Sequence, residues 1–259
     1  MPHFSSDSAT WQAIFLAVAV HLAAVVPSAM GAEEVVIRSG PERAQLIELF
    51  TSEGCSSCPP AERWLGELRK DPRLWKSIVP VAFHVDYWDG LGWKDRLARP
   101  EWTARQRAYS AAWGTASVYT PGFVVDGREW RGWFERGALP TGKARAGTLE
   151  ARAAGDSVTV RFEPEGKLAN ASAHAAWLSL EVVSDVRSGE NSGRSLRHDF
   201  AALSHGVEKL TAAGDGAWSA QLRLPRPAKN AGALAVWIES GGVPLQAAGG
   251  WVAKDAASK

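Results

Sequence analysis

Two hydrophobic rhythms divide the chain. Before about residue 148, short unbroken apolar runs alternate with stretches of helical spacing; after about residue 150, apolar and polar positions alternate one for one. In the first rhythm, Leu46 to Phe50 predicts a strand buried on both faces. Thr51 to Gly54 then turns the chain, with Gly54 supplying backbone freedom. Pro59 and Pro60 are tolerable only in a first helical turn, where the missing N–H has no partner to lose. Ala61, Trp64, Leu65 and Leu68 follow at i, i+3, i+4 and i+7, one buried helix face that ends at Asp71-Pro72. Ile78 to Val85 predicts a second strand, Asp86 to Trp93 a loop rich in Trp and Asp, and Pro100 to Trp113 a second helix. Phe123 to Val125 and Glu129-Trp130, joined at Asp126-Gly127, predict a tight hairpin.

In the second rhythm, Val158, Val160 and Phe162 alternate with polar residues, as do Leu234, Val236 and Ile238. Trp218, Leu222 and Leu224 do so less regularly, and Trp177 to Val183 forms a further apolar run. Short strands between Gly, Pro, Asn and Asp turns predict a small all-β, sandwich-like unit. The expected division is a first domain over 33–148, an all-β domain over 150–251 and a flexible tail over 252–259.

The chain holds two cysteines, Cys55 and Cys58, placed where the first strand gives way to the first helix. Unpaired backbone N–H groups and the positive end of the helix dipole favour a thiolate there. A four-thiolate zinc site needs more cysteines than the chain has. As a staple the pair is weak, since closing so short a loop contributes only about 2 kcal/mol. Strand, CxxC and helix in this order are the thioredoxin arrangement, and the motif points to redox chemistry.

Glu48 to Glu62, with the string Leu49-Phe50-Thr51-Ser52-Glu53-Gly54-Cys55-Ser56-Ser57-Cys58-Pro59-Pro60-Ala61 between them, resembles a signature of DUF1223, a family of secreted bacterial thioredoxin-like proteins. Phe83 to Asp95, Tyr119 to Gly127, Glu190 to His198 and Val243 to Trp251 resemble further motifs of that family, so the likeness spans nearly the whole mature chain. The resemblance implies an α/β fold: a thioredoxin-like domain followed by the small all-β domain. Gly137, Pro140 and Gly142 interrupt the stretch 137–146, where that fold expects a helix. The resemblance also implies an exposed, attacking Cys55 and a buried, resolving Cys58. Pro121 matches the proline that thioredoxin-like proteins hold in cis opposite the dithiol, with Thr120 offering backbone groups to a substrate; Thr-Pro-Gly is equally an ordinary turn signal. The family's name carries no substrate.

Glu48, amid apolar neighbours, is either a buried acid that moves a proton for Cys58 or one member of an ion pair. Glu53 is expected to cap the turn, because a carboxylate beside the dithiol would disfavour its thiolate. His84 is a core histidine or, with Cys55 and Cys58, a third ligand for copper or zinc. Asp86, Trp88 and Trp93 follow at a strand end, where they either line a substrate groove or pack on themselves. The polar segment Glu190 to His198 either docks an acidic partner or anchors the two domains together, and anchoring is the preferred reading. Thirteen tryptophans are expected mainly in the core, with Trp88, Trp93, Trp102 and Trp113 as the group to watch.

Charge and the N-terminus set the surroundings. A formal net charge of +1 gives no reason to expect a nucleic-acid or polybasic membrane partner. Residues 1–31 predict a signal peptide: Ala13 to Val26 is mostly apolar and Ala29-Met30-Gly31 offers a small-x-small cleavage site. That segment carries no Lys or Arg, a departure from the usual pattern. Periplasmic or secreted location is expected, with an uncleaved membrane anchor as the alternative, and an oxidising compartment lets a CxxC disulfide persist. The leading expectation is a thiol–disulfide oxidoreductase without cofactor, acting on a protein or small-molecule disulfide. The alternatives are copper or zinc handling and a non-catalytic binding module.

Overall fold

The computed structural model describes Met1, His3 and residues 34–135, 137–140 and 144–252; the expected signal peptide apart from Met1 and His3, and the expected tail apart from Val252, lie outside the described residues. The N-terminal half carries β1 (Val35–Arg38), β2 (Gln45–Thr51), α1 (Cys58–Glu67), β3 (Ile78–His84), α2 (Pro100–Ala112), β4 (Gly122–Val125) and β5 (Arg128–Glu129). Next come β6 (Gly147–Ala154), β7 (Ser157–Pro164), β8 (Ala171–Ser179), β9 (Val182–Asp185) and β10 (Ser195–His198). The chain ends with β11 (Ala202–Lys209), β12 (Thr211–Ala212), β13 (Trp218–Arg223), β14 (Ala231–Ser240) and β15 (Val243–Trp251).

These strands form sheets in the orders β1-β6-β7-β13-β12, β11-β8-β14-β15, β3-β2-β4-β5 and the small pair β10-β9. The β11-β8-β14-β15 sheet is the middle layer, because both of its faces are buried. Ala173, Ala175, Trp177, Leu234, Val236 and Ile238 face the five-stranded sheet and pack with Val158, Val160, Phe162 and Leu222. The alternate residues Ala176, Leu178, Ala233, Ala235 and Trp237 face the β2–β3 side and pack with Leu46, Phe50 and Phe83.

The sheet carrying β2 also has two faces. Thr51 bonds Glu62 on α1, and Phe123, which pairs with Leu49, meets Trp64 on α1. Ile47, Leu49 and Thr51 therefore face α1. Glu48 bonds Arg105 on α2, and Phe50 meets Tyr109, so the even positions face α2 and the middle sheet. In the parallel ladder Thr51 stands beside His84, which puts that histidine on the α1 side.

The expected fold class does not hold. Over the described residues the structure is mostly β, 44% strand and 12% helix with two α-helices, and a thioredoxin-like α/β domain is not what these elements build. Among the described strands β2–β3 is the parallel pair, whereas β4 returns antiparallel to β2. Residues 137–140 and 144–146 are not helical. Local spacing predicts the strand, the CxxC and the helix, but how many strands gather around them is decided by distant segments. The hairpin turn forms as expected, with positive φ at both Asp126 (51°) and Gly127 (78°).

Charges caught between layers are paired. Arg105 Nε donates to Glu48 Oε1 (2.6 Å) and Nη2 to Glu239 Oε1 (2.5 Å), while Tyr109 donates to Glu48 Oε2 (2.7 Å). The guanidinium also lies over the rings of Phe83, Tyr109 and Trp237. Arg105→Ala leaves two buried carboxylates without their cation, and a loss of about 3–5 kcal/mol is expected. A fall in the urea midpoint at unchanged slope would show it. Gly147, at φ 105°, has room for no side chain: a Cβ there would sit 2.0 Å from the Glu163 carbonyl oxygen. Gly147→Ala is expected to cost at least about 1–3 kcal/mol by the same measurement, and a wild-type midpoint would contradict this reading of β6–β7.

Candidate functional site

The CxxC turn is built by backbone bonds from its flanking elements. Past the end of β2, Cys55 N–H donates to Ser52 O (3.2 Å) and Cys58 N–H to Cys55 O (3.2 Å), which leads into α1. Pro59 and Pro60 occupy the first helical turn. Gly54 matters here for space rather than for φ, since a Cβ would stand 3.1 Å from Trp88 Cβ. Both cysteines are free thiols. Cys55 Sγ lies 3.2 Å from Ser57 Oγ and 3.7 Å from the Thr120 carbonyl oxygen. The Thr120–Pro121 peptide is cis, and Trp88 Nε1 donates to Thr120 Oγ1 (2.9 Å). The structure thus brings Cys55, Cys58, Thr120, Pro121 and Trp88 into one place.

Exposure of Cys55 is the expectation that fails: the residue is 1% exposed and Cys58 fully buried. Part of the cover comes from far along the chain. Asn191 Nδ2 donates to the carbonyls of Glu53 (2.8 Å) and Cys55 (2.9 Å), and Arg194 holds the Asn191 Oδ1 (2.7 Å). Ser56 N–H donates to Glu190 Oε2 (2.9 Å), and Ser188 bonds the Gly92 carbonyl. The segment from Glu190 to His198 therefore anchors onto the CxxC turn, through an amide and a carboxylate more than through its arginines. Arg197 instead pairs at the surface with Glu181 and Asp199.

The two thiols are electrically unlike. Cys55 is drawn down to about 6, first by the hydrogen bond from Cys58, then by Ser57 and Thr120 against the opposing effect of burial. Burial, followed by the neighbouring Cys55, pushes Cys58 far up. At neutral pH Cys55 is the thiolate and Cys58 the thiol that donates to it.

Glu48 is fully buried but belongs to the opposite face of β2, bound to Arg105 and Tyr109. Burial raises its carboxyl, with Arg105 pulling the other way. The acid on the α1 side is Glu62, one helical turn after Cys58 and on the same buried face. Its Oε1 accepts from Thr51 (2.6 Å) and its Oε2 from His198 Nδ1 (2.5 Å). His198 Nε2 lies 3.1 Å from Glu53 Oε1, and Trp93 Nε1 donates to Glu53 Oε2 (2.6 Å). Glu53 is thus a member of a buried ion-pair cluster rather than a turn cap. Burial opposes charge on His198, yet Glu62 and Glu53 raise it to about 10; burial likewise resists ionisation of Glu62, and His198 holds it low.

His84 belongs to the same cluster. Its Nδ1 lies 2.7 Å from Asp95 Oδ2, and among the described residues its potential ligand partners are Glu62 and His198 rather than the two thiols. Asp86 accepts from Thr103 Oγ1 (2.6 Å) at the start of α2. Beside Thr120–Pro121 a cavity of about 210 Å³ is lined by Gln106, Ser110, Trp113, Tyr119 and Gly122 among others. Sequence alone gives Glu62 and Asp95 no role, and gives Asn191 and His198 only a collective one within the Glu190 to His198 segment. Spacing could have found Glu62 alone, as the carboxylate at i+4 from the second cysteine.

Fold and site together define a mostly β protein that holds a CxxC dithiol under cover of its own C-terminal half. The chain belongs to the family described as "Protein of unknown function (DUF1223)", whose sequence profile matches residues 46–239. No curated protein matches it. Among solved structures it is similar to protein AGR_C_4864 from Agrobacterium tumefaciens, with a TM-score of 0.54 and 26% identity over 82% of this chain and 96% of that one. It is also similar in fold to HBP35 of Porphyromonas gingivalis, with a TM-score of 0.54 and 14% identity over 85% of this chain and 79% of that one.

The thiol asymmetry has a direct readout. Ultraviolet thiolate absorbance of the reduced protein is expected to titrate with a midpoint of about 6. Cys55→Ser should abolish that transition, and Cys58→Ala should move it up toward the ordinary cysteine value of about 8.5, because the main stabilising donor is gone. An unshifted midpoint in Cys58→Ala would remove the thiol–thiolate hydrogen bond from this account.

Proposed function

We propose that this protein is an exported thiol–disulfide oxidoreductase working through Cys55 and Cys58. The observation that carries the reading is the geometry at Cys55, whose Sγ lies 3.2 Å from Ser57 Oγ and 3.7 Å from the Thr120 carbonyl at the cis Thr120–Pro121 peptide; with it go the opposed shifts of the thiols, Cys55 drawn to about 6 and Cys58 pushed up. A dithiol so arranged has one nucleophile ready at neutral pH and one thiol held in reserve. Cys55 thiolate attacks a substrate disulfide, forming one S–S bond while the other substrate sulfur leaves as thiolate. Cys58 then gives its proton to the thiolate released in the first step and attacks Cys55 Sγ, the second substrate sulfur departs as thiolate, and a Cys55–Cys58 disulfide remains. Two electrons pass to the substrate; run in reverse, the same steps oxidise a dithiol substrate.

Burial of both sulfurs bears on the substrate. Trp88, Thr120 and the turn around Asn191 surround Cys55, so a small or extended disulfide suits the site better than one embedded in a folded surface. Thr120 and Trp88 are the residues to meet it. Export rests on the apolar N-terminal segment, for which an oxidising compartment is the natural destination. The same burial favours one competing reading, a closed dithiol that never turns over.

Equilibration in glutathione buffers separates the two. A potential between about −120 and −270 mV is expected of an exchanging pair, whereas a value below about −300 mV belongs to a structural disulfide. Cys58→Ser should in addition accumulate a mixed disulfide through Cys55. A potential in the structural range together with no trapped adduct would leave the non-catalytic reading.

A further inference from the structure

Beneath the CxxC turn three buried polar atoms make no hydrogen bond: His84 Nε2, and His198 Nε2 and Glu53 Oε1, which face each other across 3.1 Å. His84 is 1% exposed and its Nε2 has no hydrogen-bond partner. Leaving such a buried group unmet costs about 1–3 kcal/mol. One nitrogen of each of His84 and His198 and a carboxylate oxygen of Glu62 all lie within 4.8 Å of one another, and since Asp95 takes up His84 Nδ1, Nε2 is the nitrogen left for a ligand. The two imidazoles meet edge to face, with ring centroids 4.9 Å apart.

What surrounds the three donors is as informative as the donors. The far nitrogen of His84, Nδ1, is held by Asp95, which in turn accepts from the backbone N–H groups of Glu53 (2.8 Å) and Leu97 (2.8 Å). The far nitrogen of His198, Nε2, faces Glu53, which Trp93 holds in place. Thr51 fixes the remaining oxygen of Glu62. A carboxylate behind each imidazole is the outer-shell arrangement that sets ring orientation and tautomer in histidine–metal sites. Three carboxylates against two imidazoles also leave a charge deficit that a divalent cation would offset.

We propose that Glu62, His84 and His198 form a binding site for a divalent first-row transition-metal ion. His84 Nε2, His198 Nδ1 and one Glu62 oxygen are its donors, and Asp95 and Glu53 orient the two rings. The ion takes the place of the proton now shared between His198 Nδ1 and Glu62. Two imidazoles and a carboxylate suit zinc or iron(II) better than calcium or magnesium, which prefer oxygen alone. The site is separate from the dithiol and stands or falls without it.

Zinc is the probe. The whole protein, stripped with a chelator and dialysed, is titrated with Zn²⁺ by calorimetry, and bound metal is counted by mass spectrometry. One equivalent is expected, and Cys55→Ser/Cys58→Ser should bind it with unchanged affinity. His84→Gln should abolish stoichiometric binding, and Asp95→Asn should weaken it about 10–100-fold. Should either variant misfold, Co²⁺ added to the wild type and to the double cysteine variant decides instead: d–d bands without a sulfur-to-cobalt charge-transfer band support the site. The proposal is overturned if wild-type protein takes up no stoichiometric zinc, if uptake is lost with the cysteines, or if folded His84→Gln binds as the wild type does. Each of those results leaves the cluster as an ion-pair network only; loss of uptake with the cysteines would in addition place the zinc on the thiols.

Discussion

The pairing of His198 with Glu62 is the contact on which the site depends. It joins β10, late in the chain, to the helix that begins at Cys58, and both groups are buried. Two charges placed out of water must be matched, so the pairing specifies where β10 lies relative to α1. Once β10 is so placed, Asn191 and Glu190 fall over the CxxC turn, and Glu53 meets the far side of the imidazole. The cover on the thiols and the cluster beneath them are two consequences of one ion pair.

A second buried cation plays the same part on the other side of the sheet. Arg105 links β2, α2 and β14 through Glu48 and Glu239, and three aromatic faces receive its guanidinium. The strand that leads to the dithiol is therefore clamped from both faces by charge pairs between layers. Such clamping suits a site in which Cys55, Ser57 and Thr120 must stay within a few ångströms of one another, since thiol chemistry is sensitive to who donates to the sulfur. Covering the sulfurs also strengthens every local hydrogen bond, because less water competes.

Much of the local structure was legible. The apolar run Leu46 to Phe50, the helix stripe carrying Ala61 and Leu65, the strand from Ile78, which ends one residue before the expected Val85, the helix beginning at Pro100 and the Asp126-Gly127 turn all stand where spacing places them. So does the cis peptide before Pro121, which followed from a resemblance rather than from periodicity. Each of these depends on residues within a turn or two of one another. The fold class was misread because strand number and layering depend on residues far apart. The almost wholly buried β8 and β14 owe their burial to sheets on both sides, one of them including β1.

The chain on its own determined that two cysteines share a strand-to-helix turn, that the flanking elements form, and to which family it belongs. Those outcomes rest on short-range sterics, on hydrophobic period and on motif strings. Only the tertiary structure decided that Cys55 is covered, that Glu48 faces away from it, and that Glu62, His84 and His198 converge. The reason lies in the parity of β2: one residue along a strand turns a side chain to the opposite layer. Which layer holds the thiols is settled by partners more than a hundred residues away, and sequence spacing carries no record of them.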